Sequence, residues 1–175
     1  MIELITRKRL QFIEGGCVNL QLNHVYWSDM EFSSERPFIG VNVRRIPGVE
    51  EIPARPIYTE ESGWVDGWVL GSGQYLVETR EIFNLPHWVR GFLSHRTSVF
   101  RSFSHIQYAV IHPNYQGKIT GLLTVGKGGE KLERGAEVAQ AWFSSFDGGK
   151  VDIYQGIYGI QGYRNTTDGQ IARPR

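Results

Sequence analysis

The feature that most restricts the fold is the alternating run Lys118-Ile119-Thr120-Gly121-Leu122-Leu123-Thr124-Val125, which follows the segment Ala109–Gly117. Apolar residues at alternate positions on both sides of a Pro113-Asn114-Tyr115-Gln116-Gly117 break read as two strands and a turn. The same short-period pattern recurs at Val18–Leu22, continues through His24–Trp27, and returns at Pro37–Arg45, Val65–Val69, Gln74–Thr79 and Glu137–Phe143. Many brief Val-, Ile-, Tyr- and Phe-bearing runs, punctuated by 21 glycines and 7 prolines, predict an all-β fold rather than a helical one.

A chain of 175 residues is expected to form one domain with a sizeable core. The formal net charge of +1 lacks the basic excess with which a protein neutralises nucleic-acid phosphates, so no nucleic-acid partner is expected. Cys17 is the single cysteine, which rules out an internal disulfide and suits a reducing compartment. One cysteine and five scattered histidines offer no zinc-ligand spacing. Met1–Leu4 does not open a signal peptide and no apolar run approaches a membrane span, so a soluble, cytoplasmic protein is expected.

The opening segment 1–16 fits a strand or a single helix equally well. Residues 47–62, with three prolines and four glutamates, read as loop and edge. Gly126-Lys127-Gly128-Gly129 lacks the spacing of a phosphate loop and lies between strands, so a hairpin turn is the better reading. The tail from Tyr154 to Arg175 has too little apolar content to fold by itself. Its arginines Arg164, Arg173 and Arg175 suit either a flap over an anion or a solvated end. The five tryptophans read as core and interface residues.

Arg96-Thr97-Ser98 with Arg101 close behind is the clearest chemical motif. A guanidinium fork beside small hydroxyls is what a phosphate group needs. The alternative is an ion pair between Arg96 and a carboxylate at a subunit contact.

The pieces GQYLVETREIFNLP (73–86), HRTSVFR (95–101), AVIHPNYQGKI (109–119), RGAEVAQAWF (134–143) and YQGIYG (154–159) stand in an order that resembles the superfamily of trimeric dUTP diphosphatases and dCTP deaminases. VNLQL (18–22) is similar to that family's early strand. The resemblance implies an all-β β-clip, or distorted jelly roll, assembled as a homotrimer with sites between subunits. It implies a dUTPase-like domain over 1–153 and a C-terminal flap over 154–175. The substrate would be a pyrimidine deoxynucleoside triphosphate carrying Mg²⁺.

Residue by residue, Arg96, Thr97 and Ser98 match the phosphate-binding turn, and Arg101 a deaminase-branch arginine near the base. Ala109 and Ile111 match the hairpin whose backbone reads the base edge. Tyr115 matches an aromatic that packs on the sugar, and Gln140 a contact to the triphosphate. Tyr154 and Gln155 match the closing C-terminal motif. No protein metal ligand is implied.

The departures bear on the chemistry. Where the family has Ile-Asp, this chain has Ile111-His112. The deaminase glutamate ten residues on is replaced by Leu122, and the early-strand aspartate by Asn19. Neutral imidazole accepts a proton near neutral pH, which makes His112 the candidate base. Hydrolysis of dUTP to dUMP and diphosphate is therefore expected ahead of deamination. A nucleotide-binding or regulatory homologue without chemistry is the alternative.

Overall fold

In a computed structural model, residues 3–5, 17–28, 38–39, 44–45 and 49–145 are described. Thirteen strands and one short helix follow in order: β1 (Glu3–Ile5), β2 (Val18–Trp27), β3 (Phe38–Ile39), β4 (Arg44–Arg45), β5 (Glu50–Ile52), β6 (Arg55–Thr59), β7 (Gly63–Leu70), β8 (Gly73–Asn84), β9 (Val89–His95), α1 (Thr97–Arg101), β10 (His105–Gln107), β11 (Gln116–Val125), β12 (Glu130–Glu133) and β13 (Glu137–Ser145). The expected all-β fold is what forms. Among the described residues no helix is long and apolar enough to cross a membrane.

The main sheet runs β10-β11-β8-β2-β13-β9, with β1 paired to β8 and β5 paired to β2. Its ends come together at Gly91 and Ile111, which exchange both backbone hydrogen bonds at 2.9 Å. Gly91 is required at this seam, since a Cβ there would sit 2.8 Å from Ile111 Cδ1 and 3.0 Å from Phe143 Cε1. The near-closure satisfies backbone groups that an open edge would leave unpaired. A second sheet, β12-β7-β6, packs alongside, and β3 pairs with β4. Trp68 of β7 joins the two larger sheets: its ring is buried and its Nε1–H donates to the Ile52 carbonyl of β5 at 2.7 Å.

Alternation explains the core. Along β11, Ile119, Leu123 and Val125 turn inward, and along β8 so do Val77 and Phe83. Leu20, Leu22 and Val25 of β2 and Val138, Ala139 and Ala141 of β13 complete it. Each fully buried side chain of the Leu or Phe class contributes about 1.5–3 kcal/mol. Gly121 lies beneath Tyr108, where a Cβ would meet the ring at 2.5 Å.

The structure departs from the sequence reading at three places. Residues 109–112 do not form the first arm of a hairpin. That arm is β10, which pairs with 122–124, while Ile111 crosses to Gly91 instead. The Arg-Thr-Ser turn continues into the single turn of α1. In the 47–62 segment the edge reading holds and part of the expected loop is strand: β5 and β6 form with Pro53 between them, and Pro56 lies in β6, an edge strand where a missing N–H is tolerated. The Lys127-Gly128 turn forms as expected, closed by a 3.0 Å bond from Gly129 N to Gly126 O.

Charge enters the core of β8. Glu81 is buried on the inward face with Val77 and Phe83, and both its carboxylate oxygens accept from Gln21 N–H, at 3.2 and 3.1 Å. Burial raises its pKa above the usual 4.5, against the lowering effect of backbone donors and of Arg80. Tyr108, whose hydroxyl is buried without a hydrogen-bond partner, is pushed well above the ordinary phenol range by burial and then by the Glu81 charge.

A carboxyl with a raised pKa in the folded state stabilises the fold fully only below its unfolded pKa, and that contribution is lost as pH rises through the folded value. Replacing Glu81 by Gln is expected to shift relative stability in the variant's favour as pH is raised from about 4 to about 8. Denaturant unfolding across that range checks it; a variant that loses ground with rising pH contradicts the assignment.

Candidate functional site

The candidate phosphate site is built where β2, β13 and the start of α1 meet. Gln140 stands directly opposite Asn19 in the β13–β2 ladder, and Gln140 Nε2 donates to Asn19 Oδ1 at 3.3 Å. In a regular strand Glu137 and Gln140, three residues apart, would face opposite ways. The β13–β2 register slips between Glu137 and Ala139, a bulge that spends one extra residue on β13. Val138 and Ala139 are consequently both buried, and Glu137 returns to the face of Gln140 and Asn19.

The result is a connected polar network. Asn19 Nδ2 donates to Glu137 Oε2 at 3.0 Å, and the same oxygen is ion-paired with Arg96 Nη1. Arg96 is fixed through its backbone as well, its N–H donating 3.0 Å to the carbonyl of Val138 inside the bulge. Its φ of −72° and ψ of 153° are extended, so the chain turns from β9 into α1 at this residue. Three sequence-predicted positions, Asn19, Arg96 and Gln140, are thus brought together. Glu137, which joins them, has no signature in the sequence: the bulge that re-aims it leaves no mark in the hydrophobic alternation.

The remaining candidates lie elsewhere. Thr97, Ser98 and Arg101 are exposed on α1, one turn on from Arg96. Ala109 is exposed. Ile111 is buried, and its N–H and carbonyl are both bonded to Gly91. His112 is exposed at the start of a turn closed by Tyr115 N donating to its carbonyl at 3.1 Å, with Asn114 in the left-handed region at φ 61°. Tyr115 is a core residue, 7% exposed, with its hydroxyl donating to the Lys118 carbonyl and its own carbonyl accepting from Leu85 N–H at 2.9 Å. Tyr154 and Gln155 lie outside the described residues.

The His112 turn and the Arg96 network sit near opposite ends of β9. Ile111 is bridged to Gly91, near the strand's start, and Arg96 follows its end. Five residues of extended chain separate the two levels by roughly 16 Å.

Leu122 is half-buried, opposite Leu76 on one side and Gln107 on the other. On the neighbouring strand Glu78, 5% exposed, is bonded to Lys118 Nζ at 2.6 Å. Glu78 and Glu81 are further carboxylates that sequence reasoning did not single out. Their signal was present: two acids between Val77 and Phe83, residues of the strand's apolar alternation. Among the described residues no group of three His, Cys, Asp or Glu is arranged to hold a metal ion.

Comparison with known proteins bears on family and fold. Residues 11–146 match the family model described as dCTP deaminase-like. A "Probable deoxyuridine 5'-triphosphate nucleotidohydrolase" of Methanosarcina acetivorans is 27% identical over 106 residues, 60% of either chain. A protein of the same name from Aeropyrum pernix is 30% identical over 94 residues, 53% of this chain and 59% of its own. The chain therefore spans about 60% of the length of these relatives. Among solved structures, the 2'-deoxycytidine 5'-triphosphate deaminase of Agrobacterium tumefaciens superposes with a TM-score of 0.53 at 15% identity, covering 81% of this chain and 42% of that one; this is a likeness of fold.

The network makes one electrostatic prediction. Asn19→Asp removes the donor to Glu137 Oε2 and sets a like charge beside it. The variant is expected to lose roughly 1 kcal/mol or less near neutral pH, because the site is partly solvated. The loss shrinks as pH falls through the carboxylate range, since like-charge contact raises a folded-state pKa. Melting temperatures at both pH values test it, and a loss independent of pH contradicts it.

Proposed function

The chain belongs to the dCTP deaminase-like family, and from that premise we propose that it binds a pyrimidine deoxynucleoside triphosphate and hydrolyses it as a dUTP diphosphatase does. The observation that carries the reading is the Arg96–Glu137–Asn19–Gln140 network, in which Arg96 and Gln140, the residues that match the family's phosphate-binding positions, are brought together. In this reading the Arg96 guanidinium, which offers five donors, keeps N–H groups for phosphate oxygens beyond the one that meets Glu137. Thr97 and Ser98, exposed on the following turn, add hydroxyl donors, and Arg101 adds charge. Gln140, held by Asn19, is turned to the same face.

Diphosphatase chemistry is favoured over deamination because the structure surrounds Leu122 with Leu76 and Gln107. The carboxylate two register pairs away, Glu78, is committed to Lys118. In the proposed step a water oxygen bonds to the α-phosphorus, the bond from that phosphorus to the bridging oxygen breaks, and diphosphate leaves. His112 takes the proton from the attacking water when its imidazole is neutral. Mg²⁺ enters with the substrate, on the triphosphate oxygens. The donor set present, one carboxylate already paired with a guanidinium, does not make a protein-held metal site.

Placement of the Arg96 network and the His112 turn at opposite ends of β9 supports a site completed by a second copy of the chain, in a homotrimer. The exposed Phe100 and Phe103, and Trp142 stacked on Phe92, give that contact apolar surface. A second reading, nucleotide binding without turnover, is favoured by Asn19 and His112 standing where the family carries carboxylates.

Chromatography of dUTP and dCTP incubated with the full chain and Mg²⁺ separates these readings. dUMP and diphosphate from dUTP, with dCTP unchanged, is the expected result, and His112→Ala is expected to lower kcat by about 10²-fold or more. Conversion of dCTP to dUTP overturns the preference for hydrolysis. Binding with no product from either nucleotide establishes the second reading.

A further inference from the structure

The guanidinium read as a phosphate ligand already holds an anion, the carboxylate of Glu137. We propose that Glu137 is a built-in competitor for Arg96 that sets the affinity of the site for phosphate-bearing ligands. The inference rests on the reading of Arg96 as a phosphate ligand and goes beyond it by assigning a role to a residue that the matching motifs leave without one.

Three observations lead to it. First, the contact is placed by the backbone. The bulge at Val138 turns Glu137 onto the face of Gln140, and the carbonyl of the same Val138 anchors the Arg96 N–H. The bulge on the β2 side thus delivers the carboxylate, and the regular register on the β9 side delivers the guanidinium, to the same place. Second, Asn19 Nδ2 donates to Oε2, the oxygen that meets Arg96, so Asn19 helps orient the carboxylate toward the guanidinium. An aspartate at position 19 would repel it. Third, the pair is accessible, with the Arg96 and Glu137 side chains 32% and 43% exposed. Solvent reaches both groups, so the pair is weak enough to open, and a ligand phosphate can approach the guanidinium.

The consequence is a linkage. A phosphate that needs the Nη1 edge of Arg96 binds only the fraction of molecules in which Glu137 has released it, and its apparent affinity is lowered by that fraction. A phosphate arriving at the remaining N–H groups meets the negative charge of Glu137 next to its own. Both effects oppose binding and both end when the carboxylate is neutralised. Gln at position 137 keeps the side-chain length and an oxygen to accept from Asn19, so the network survives while the competition goes.

The test is calorimetric titration of the full chain with dUMP and with the non-hydrolysable α,β-imido analogue of dUTP plus Mg²⁺. It compares the wild type, Glu137→Gln and the control Glu133→Gln. Glu133 is an exposed acid at the end of β12, and its replacement removes the same formal charge from the chain. Glu137→Gln is expected to bind both ligands roughly two- to fivefold more tightly, the range for release of an exposed ion pair. Glu133→Gln is expected to match the wild type. Weaker or unchanged binding by Glu137→Gln overturns the proposal and makes Glu137 a positioning residue for Arg96. An equal gain in both variants also overturns it, since bulk charge would then be the cause. Binding of neither ligand by any of the three proteins instead overturns the nucleotide reading on which the proposal rests.

Discussion

The single extra residue in β13 is the constraint on which the site depends. Without the bulge at Val138, the two-residue period of a strand would send Glu137 and Gln140 to opposite faces. Arg96 is placed from the other side, by the β13–β9 register, which runs unshifted from Val89 to His95 and continues in the bond from Arg96 N–H to Val138 O. The bulge therefore sets the identity of the arginine's counter-ion, while the regular β13–β9 ladder sets the approach of α1. A bulge leaves a residue outside the ladder and bends the strand, which costs regular pairing. Here the displaced Val138 is buried, so apolar packing offsets part of that cost.

The near-closed sheet supplies the rigidity that such a site needs. Gly91 and Ile111 lock β9 to the segment before β11, and the contact is so close that a methyl group at Gly91 would collide with Ile111 and Phe143. β9 in turn pairs with β13 from Val89 to His95, along the strand that carries Glu137 and Gln140. Position along β9 thus separates the His112 turn from the Arg96 network by a fixed amount. The assembly state therefore belongs to the functional proposal, since a second copy of the chain is one way to bring the two levels to a single nucleotide.

How much of this was legible follows from what each feature imprints on a sequence. Strands β2, β7, β8, β11 and β13 show in the alternation because one face of each is buried, and burial dictates apolar residues at every second position. The stretch 109–112 alternates equally well yet makes only one bridge, because pairing is decided by the partner available, and Gly91 rather than β11 faces Ile111. Arg96 and Gln140 were legible as chemistry through their motifs. Glu137 was not, because its direction depends on a bulge whose residues, Val138 and Ala139, look like ordinary strand. Tyr115 was read as a ring for the sugar, and the structure places it in the core with its hydroxyl on the Lys118 carbonyl, a fate that residue type alone does not distinguish.

The substitutions at the motif positions gain coherence once the network is visible. A carboxylate at position 19 and one at 137 would share the same few ångströms, with Arg96 as their common counter-ion. Like charges at that separation oppose each other, and one would remain protonated or turn away. Asn19 resolves the conflict, because its amide donates to Glu137 and accepts from Gln140 at once. The acidic group of the network stands on β13 while β2 supplies an amide, and the amide keeps the geometry that an acid at position 19 would break. The network around Arg96 is therefore not without a carboxylate. It has one on the other strand, facing the arginine, so Asn19 by itself is no evidence that the site has lost its chemistry.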